Sequence, residues 1–292
     1  MQNNNIELDL IDRKILYELD INSRISITKL SKKIKVNRNV IEYRLKRLTD
    51  REIIKNYVTL IDAGKLGFMV WNIYLKFQNT TQLIENKILN YLKENRLVWW
   101  AGQTTGSFDL IYSVGVKNIK EFYEIVEDIN SNFGNYILTQ TLAAHCDIEI
   151  FSRGYFLNKP SLEIGWYKDY NKVILKKKDI EILKILGSNS RMSSVDLAKK
   201  TNLTPRIVAY KIKDLLKRGI ITRFRIAINS KIYGYSFYKV IIHLKNLSKE
   251  KDMLLKEYCR NLGFIIHYER KIGPWMLELE LECRSYEEIN KV

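Results

Sequence analysis

Two matching stretches decide the fold: LDLIDRKILYELDINSRISITKLSKKI at residues 8–34 and LKKKDIEILKILGSNSRMSSVDLAKKT at residues 175–201. The match continues without a gap to residues 68 and 235, and about a third of the aligned positions are identical. The apolar positions agree almost throughout. A gapless internal match of this length indicates that one module is duplicated within the chain.

Each copy predicts three short helices. In the first copy, Ile11, Ile15 and Leu19 recur at helical spacing, Ser26 can cap a second helix, and Asn37 can cap a third. Only a tight turn separates the second helix from the third. Short helices joined in this way are typical of the helix-turn-helix motif.

The basic charge of the chain is concentrated in the two copies. The net charge of the whole chain is +16, and residues 9–55 carry 13 basic against 7 acidic residues, while residues 176–225 carry 14 against 4. The remaining residues are therefore neutral in sum. Positive charge confined to two short blocks indicates a surface for phosphate, and the predicted partner is double-stranded DNA.

The third helix of each copy has an apolar face and a polar face. In the first copy, Ile41, Leu45 and Leu48 lie on one side and belong to the core. The opposite side is either an ordinary solvated surface or one that contacts base edges and phosphates, and the duplication and the charge favour DNA. The predicted DNA-binding residues of the third helices are Arg38, Asn39, Glu42, Tyr43, Arg44, Lys46, Arg47, Arg206, Tyr210, Lys211 and Lys213. Those of the second helices are Lys32, Lys33, Lys199 and Lys200.

Beyond each basic block the pattern changes to alternating strands and helices. Residues 57–151 predict a first strand that leads into the order βαββαβ, which is the ferredoxin-like arrangement. Residues 237–283 predict only β, α, β, β, and a further helix begins near Ser285. The predicted fold class is therefore α+β, with two winged helix-turn-helix modules, each followed by a ferredoxin-like βαββαβ domain, the second one truncated.

These patterns define five predicted segments. The two helix-turn-helix domains and the two ferredoxin-like domains alternate, and a linker joins the two halves of the chain. The boundaries are residues 1–62, 63–152, 153–174 for the linker, 175–229 and 230–292.

The combination resembles the Lrp/AsnC (feast/famine) family of transcription regulators. The resemblance is carried by LDLIDRKIL, SRISITKLSKKI and RLKRLTDREIIKNY in the first copy, and by KKKDIEILKIL, SRMSSVDLAKKT and KIKDLLKRGIITRF in the second. It implies that the third helices enter the major groove and that the ferredoxin-like domains pair. A tandem, archaeal-like form of the family implies a homo-oligomer or a pseudo-dimer within one chain.

The resemblance also implies an amino-acid effector at a loop with a Gly-x-x-Asp pattern. The loop at residues 104–109 fits this pattern, so the predicted effector-binding residues are Thr104, Gly106 and Asp109. Asp109 would pair with the ammonium group of the ligand, and Gly106 would let the backbone approach it. The alternative is that Gly106 only makes a hairpin turn. In the second copy Met276 replaces the carboxylate.

Enzymatic motifs are missing from the sequence. It contains no Walker loop, GxSxG, HExxH or zinc-cluster spacing, and Cys146, Cys259 and Cys283 form no CxxC pair. We therefore expect a non-enzymatic protein without cofactor or metal. The enzymatic alternative is a siroheme decarboxylase, a class that resembles the same regulators in fold. HYER at residues 267–270 resembles the histidine-tyrosine stretch of those enzymes.

The apolar runs are too short to cross a bilayer, and the amino terminus does not have the pattern of a signal peptide. We therefore expect a cytoplasmic protein with no membrane partner.

Overall fold

The computed structural model describes residues 6–167 and 172–292. Its α-helices are α1 (Leu10–Ile21), α2 (Ile27–Ile34), α3 (Arg38–Asp50), α4 (Gln82–Glu94), α5 (Ile119–Phe133), α6 (Lys177–Ser188), α7 (Ser194–Thr201), α8 (Pro205–Lys217), α9 (Lys249–Leu262) and α10 (Tyr286–Ile289). Its strands are β1 (Ile54–Ile61), β2 (Met69–Phe77), β3 (Val98–Gln103), β4 (Leu110–Val116), β5 (Ile137–Phe151), β6 (Glu163–Tyr167), β7 (Ile221–Ile228), β8 (Ser236–Ile242), β9 (Ile265–Ile272) and β10 (Leu277–Cys283). None of the helices in these two ranges is both long enough and apolar enough to cross a membrane.

Local capping explains where the helices of the first module begin. The carboxylate of Asp9 accepts from Asp12 N (2.9 Å) at the start of α1, and the hydroxyl of Ser26 accepts from Lys29 N (3.2 Å) at the start of α2. The side chain of Asn37 caps α3. Side-chain oxygens at these positions satisfy amide groups that lack a partner within the helix. The predicted three-helix modules are thus confirmed.

The two helix-turn-helix modules contact each other reciprocally. Ser23 Oγ and Ser190 Oγ, which are equivalent positions of the repeat, lie 2.7 Å apart. The amide of Ser23 donates to Phe224 O (3.0 Å), and that of Ser190 donates to Tyr57 O (2.8 Å). Because each contact recurs with the copies exchanged, a local two-fold axis relates the modules.

Arginines and strands extend this two-fold contact. Arg24 lies 5.3 Å from the ring centroid of Phe224, and the equivalent Arg191 lies 5.2 Å from that of Tyr57. Strands β1 and β7, which follow the two modules, pair with each other in antiparallel register. The wing strand of each module is thus paired with the wing strand of the other copy, and the modules form a pseudo-dimer within one chain.

The large sheet joins the two ferredoxin-like regions. Its order is β3-β4-β2-β5-β9-β10-β8, with β6 added to β5. The first four strands have the ferredoxin-like order, and β9-β10-β8 repeats three of those positions. Strand β5 is long enough to pair with β2 over its first half and with β9 over its second half. The predicted fold class is confirmed, and one continuous sheet replaces two separate ones.

The segment predicted as a linker (residues 153–174) is largely part of the folded core. Arg153 is buried, and its guanidinium donates to Asp20 Oδ1 (2.6 Å) and to Glu282 Oε2 (2.8 Å). Strand β6 then pairs with β5. The composition of the segment favoured a linker, because composition does not show that Arg153 contacts residues more than a hundred positions away in the chain. Residues 168–171 of the predicted linker lie outside the described residues.

Candidate DNA-binding helices and central cavity

The outward faces of α3 and α8 are open to solvent. Tyr43 and Tyr210, which are equivalent residues, are 66% and 70% exposed. The other predicted contact residues whose side chains are exposed are Arg38, Asn39, Glu42, Lys46, Arg206 and Lys213 on these helices and Lys32, Lys33, Lys199 and Lys200 on α2 and α7. Two of them have acidic partners: Arg38 Nε lies 2.9 Å from Glu42, and Lys33 Nζ lies 2.6 Å from Glu18.

Arg44 and Lys211 hold the third helices in place, and this geometry does not support their predicted contact with DNA. The side chain of Arg44 is 16% exposed and donates to Asp12 Oδ1 (2.9 Å), while Lys211 is 19% exposed and donates to Asp179 Oδ1 (2.7 Å). Asp12 and Asp179 are equivalent positions of α1 and α6. The helical periodicity of the sequence placed Arg44 and Lys211 outside the apolar face of the third helix. It could not show that Asp12 and Asp179, more than thirty residues earlier, contact them.

Asp12 and Asp179, the two carboxylates that contact the third helices, have different sets of partners. Arg47, another predicted DNA contact, also pairs with Asp12 through Nη2 at 2.5 Å, whereas Asp214 stands at the equivalent position of α8. Burial opposes the ionisation of Asp179, but the ammonium group of Lys211 outweighs it and lowers the pKa of Asp179. Each module therefore fixes its third helix by a charged contact to its first helix.

The predicted effector loop is a compact turn. Thr104 Oγ1 donates to Phe108 O (2.7 Å), and Gly106 has a φ of +115°. A Cβ added to Gly106 would have no other described atom within 4 Å. Backbone conformation, rather than room for a ligand, therefore requires glycine here. This finding agrees with the hairpin-turn alternative.

The carboxylate of Asp109 has partners within the protein. Its Oδ1 accepts from Lys76 Nζ (2.8 Å), and its Oδ2 accepts from Phe77 N (2.8 Å). Desolvation raises the pKa of Asp109, but these donors outweigh it, and the net shift is downward. A ligand ammonium would therefore either share Asp109 with Lys76 or replace Lys76.

A cavity of about 480 Å³, here called the central cavity, lies against one face of the large sheet and is also bordered by β1 and β7. Both ferredoxin-like regions contribute to its wall. Polar and aromatic side chains of this wall include Asn72, Trp99, His145, Lys239, His267 and Glu280. The cavity was not predicted from the sequence.

A signal for the cavity was present in the two strands that follow α9. His267 and Glu269 alternate with Ile266 and Tyr268 on β9, Lys271 follows at the same spacing, and Glu278 and Glu280 alternate with leucines on β10. Alternation places these charged groups on one face of the sheet. Since the strands are mostly buried, that face had to border a polar site inside the protein.

Ion pairs connect the charged groups beside the central cavity. Lys239 Nζ lies 2.8 Å from Glu280 Oε1 and also contacts Glu278, and Lys271 Nζ lies 2.8 Å from Glu269 Oε2. Burial, reinforced by Lys271, lowers the pKa of His145 to about 3, so this imidazole is neutral.

His267 has the opposite protonation behaviour. Burial lowers its pKa, but Glu280 and Glu269 outweigh burial and raise the pKa of His267 to about 8. Its Nδ1 lies 2.5 Å from Glu280 Oε2 and 3.6 Å from Glu269 Oε1.

Comparisons with known proteins agree with the helix-turn-helix geometry. Residues 8–49 match the model of the AsnC-type helix-turn-helix domain, and residues 175–222 match that of a winged helix-turn-helix DNA-binding domain. An HTH-type transcriptional regulator of Pyrococcus abyssi is 30% identical over 122 residues, which is 41% of this chain and 81% of the relative. This chain belongs to the Lrp/AsnC family of transcription regulators.

A second relative supports the same family. The HTH-type transcriptional regulator Ptr1 of Methanocaldococcus jannaschii is 33% identical over 113 residues, covering 39% of this chain and 75% of Ptr1. These relatives match less than half of the present chain, in keeping with its two copies of the module. This Lrp/AsnC chain is therefore a transcription regulator with two helix-turn-helix DNA-binding domains.

The structure is also similar to an enzyme. The siroheme decarboxylase NirDL aligns with 97% of this Lrp/AsnC chain and 84% of its own chain, with a TM-score of 0.62 and 14% sequence identity. A structure of that protein contains an iron-uroporphyrin III analogue. At this identity the likeness shows a shared fold across nearly the whole chain.

Proposed function

We propose that this Lrp/AsnC regulator binds double-stranded DNA sequence-specifically in the cytoplasm, with α3 and α8 of one chain in successive major grooves. The observation that carries the proposal is the two-fold contact between the modules, with both third helices exposed. A dimeric helix-turn-helix protein uses such symmetry to read two half-sites about 34–36 Å apart. Here both recognition helices come from the same chain, so one chain is sufficient for a complete operator.

The exposed residues of the two helices have separable roles. Lys46 and Lys213 are equivalent exposed cations that suit phosphate, and so do the lysine pairs of α2 and α7. Tyr43 and Tyr210 are largely exposed and suit contacts with bases. Arg206 can donate two hydrogen bonds to guanine, which the equivalent Asn39 cannot do, since asparagine pairs preferentially with adenine.

The two half-sites are therefore expected to differ. Among the four outward positions occupied by Asn39, Glu42, Tyr43 and Arg47 in α3, only the tyrosine recurs in α8. Two different reading surfaces related by a two-fold axis recognise an asymmetric operator.

Selection of bound DNA from a random pool tests this proposal. The wild-type chain is expected to select a site with two unlike halves one helical turn apart. If the outward residues of α3 are also placed on α8, both modules read the same half-site, and the selected site should become a palindrome. A matched control changes exposed residues of α4 to alanine and should leave the selected site unchanged. A perfect palindrome selected by the wild type, or a site unaffected by the change on α8, contradicts the model of two readers.

An amino-acid effector at residues 104–109 remains a part of the proposal. It is supported by the Gly-x-x-Asp pattern and by the position of Phe108. This loop residue lies against Trp275 of the second copy, and the centroids of the two rings are 6.0 Å apart. Amino acids should then change the melting temperature of the wild type, and Asp109→Asn should abolish the change. Lys245→Gln serves as a control for altered surface charge. An equal response in both variants places the effector elsewhere.

The central cavity is the observation that favours the alternative, a siroheme decarboxylase. A uroporphyrin carries eight carboxylates and needs a surplus of cations around it. The lysines beside the cavity are instead paired with buried glutamates. We therefore favour the regulator, and a titration with iron-uroporphyrin distinguishes the two: a saturable shift of the porphyrin absorbance band at stoichiometric protein would support the enzyme.

A further inference from the structure

The lysines beside the central cavity do not by themselves balance the charge of the buried carboxylates. Within the described residues, one network joins three carboxylates to two ammonium groups: Glu269, Glu278, Glu280, Lys239 and Lys271. The neighbouring network is balanced, because Asp20 and Glu282 face Arg153 and Arg225. An uncompensated buried charge is strongly unfavourable, so the first network requires one more positive charge, which either a proton on His267 or a bound cation supplies.

The unmatched charge coincides with a set of converging ligand atoms. His267 and Glu280 are directly opposite each other on β9 and β10, and Glu269 follows two residues after His267 on the same face. One ligand atom from each of the three side chains lies within 4.8 Å of the other two. The cluster therefore has the composition and the compactness of a metal site.

The lysines leave the inner oxygens of the carboxylates available. Lys271 contacts Glu269 through Oε2, and Lys239 contacts Glu280 through Oε1. The opposite oxygens, Glu269 Oε1 and Glu280 Oε2, are those that face His267 Nδ1, at 3.6 and 2.5 Å. Ligand atoms bound at about 2.1 Å around a tetrahedral ion lie roughly 3.4 Å apart, so small side-chain movements complete the geometry.

We propose that His267, Glu269 and Glu280 bind one divalent first-row metal ion, such as Zn²⁺, at the wall of the central cavity. One imidazole nitrogen and two carboxylate oxygens suit such an ion, and the lysines act as outer partners that orient the carboxylates. Three protein ligands leave a coordination position open. All three side chains line the cavity, so a water molecule or a small oxygen or nitrogen donor there occupies that position.

Zn²⁺ titration of the chelator-treated full chain, without DNA, tests the site. Competition with a chromophoric chelator should show one Zn²⁺ bound per chain. His267→Gln and Glu280→Gln should each weaken binding by more than about 100-fold, the upper end for loss of an outer partner alone. His243→Gln removes a histidine outside the cluster and should bind as the wild type does.

Folding does not obscure the result. Glu280→Gln leaves two carboxylates with two lysines and therefore removes the charge excess, so this variant is expected to fold without metal, as circular dichroism can verify. Absence of stoichiometric binding by the wild type overturns the proposal, and a proton on His267 is then the missing cation. Undiminished binding by Glu280→Gln also overturns it. Neither outcome bears on DNA binding, which is measured separately.

Discussion

The two copies of the helix-turn-helix module agree where they touch each other and differ where they face outward. Ser23 and Arg24 recur as Ser190 and Arg191 at the two-fold axis, and both pairs make the same contacts. The outward residues of α3 and α8 are mostly different. The duplicated sequence thus retains the contacts that assemble the pseudo-dimer, while its two reading surfaces have become distinct.

The largest expected effect concerns Asp20, a buried carboxylate of the first copy that the second copy lacks. It accepts from Arg153 (2.6 Å) and Arg225 (2.6 Å), whereas Gly187 stands at the equivalent position of α6. Asp20→Ala leaves buried guanidinium groups without this partner and should lower the free energy of unfolding by about 3–5 kcal/mol. Urea denaturation measures the change. Asp50→Ala, at the exposed end of α3, is the control and should change it little.

The same carboxylate predicts a pH dependence. Burial opposes the ionisation of Asp20, but Arg225 and Arg153 outweigh it and lower its pKa below the ordinary 3.8. Its contribution is therefore complete above that value and is lost as the pH falls through the lowered pKa. The difference in stability between wild type and Asp20→Ala should shrink on acidification. A difference in stability that grows at low pH would show that the ionised carboxylate of Asp20 is not what stabilises the fold.

The anchors of the recognition helices should respond unequally. Asp12 retains Arg47 when Arg44 is removed, whereas Lys211 is the cation that pairs with the buried Asp179. Lys211→Ala should cost about 1.5–3 kcal/mol, as for loss of a charge-assisted hydrogen bond, and Arg44→Ala clearly less. Thermal unfolding of both variants measures the ratio. Equal losses of stability would show that Arg47 does not compensate for the removal of Arg44.

The serine pair tests the two-fold contact itself. Ser23 and Ser190 are fully buried, so Ser23→Ala leaves a hydroxyl without its partner and should cost about 1–3 kcal/mol. The double variant with Ser190→Ala should cost less than the sum of the single changes, because no hydroxyl is then unpaired. Additive losses in a double-mutant cycle would contradict a direct contact.

The salt dependence of DNA binding tests whether both copies contact phosphate groups. The expected effect is the smallest of those predicted here. Each phosphate contact contributes about −0.9 to the slope of log K against log salt concentration. Lys46→Ala and Lys213→Ala should therefore each reduce the slope by about one contact. Asn86→Ala on α4 is the control and should leave it unchanged. A reduced slope for Lys46→Ala alone would mean that the second module does not contact DNA.

Features that depend on neighbouring residues were predictable from the sequence, and those that depend on distant ones were not. Ser26 and Asn37 marked helix starts because caps act within three residues. The pairing of β1 with β7 and that of β5 with β9 join residues more than a hundred positions apart. The polar face of α3 was predicted, but the contact of Arg44 with Asp12 needed the packing of α1 against α3.

The pairing of β1 with β7 also has a consequence for biosynthesis. The first module emerges from the ribosome long before the second, so its axis residues and the open edge of β1 have no partner within the chain during that interval. Contacts of such large sequence separation form slowly and expose unpaired strand edges. The equivalent surface of a neighbouring nascent chain presents the same residues. Exchange of modules between chains is therefore the characteristic misassembly of this architecture, and it should increase with the local density of translating ribosomes.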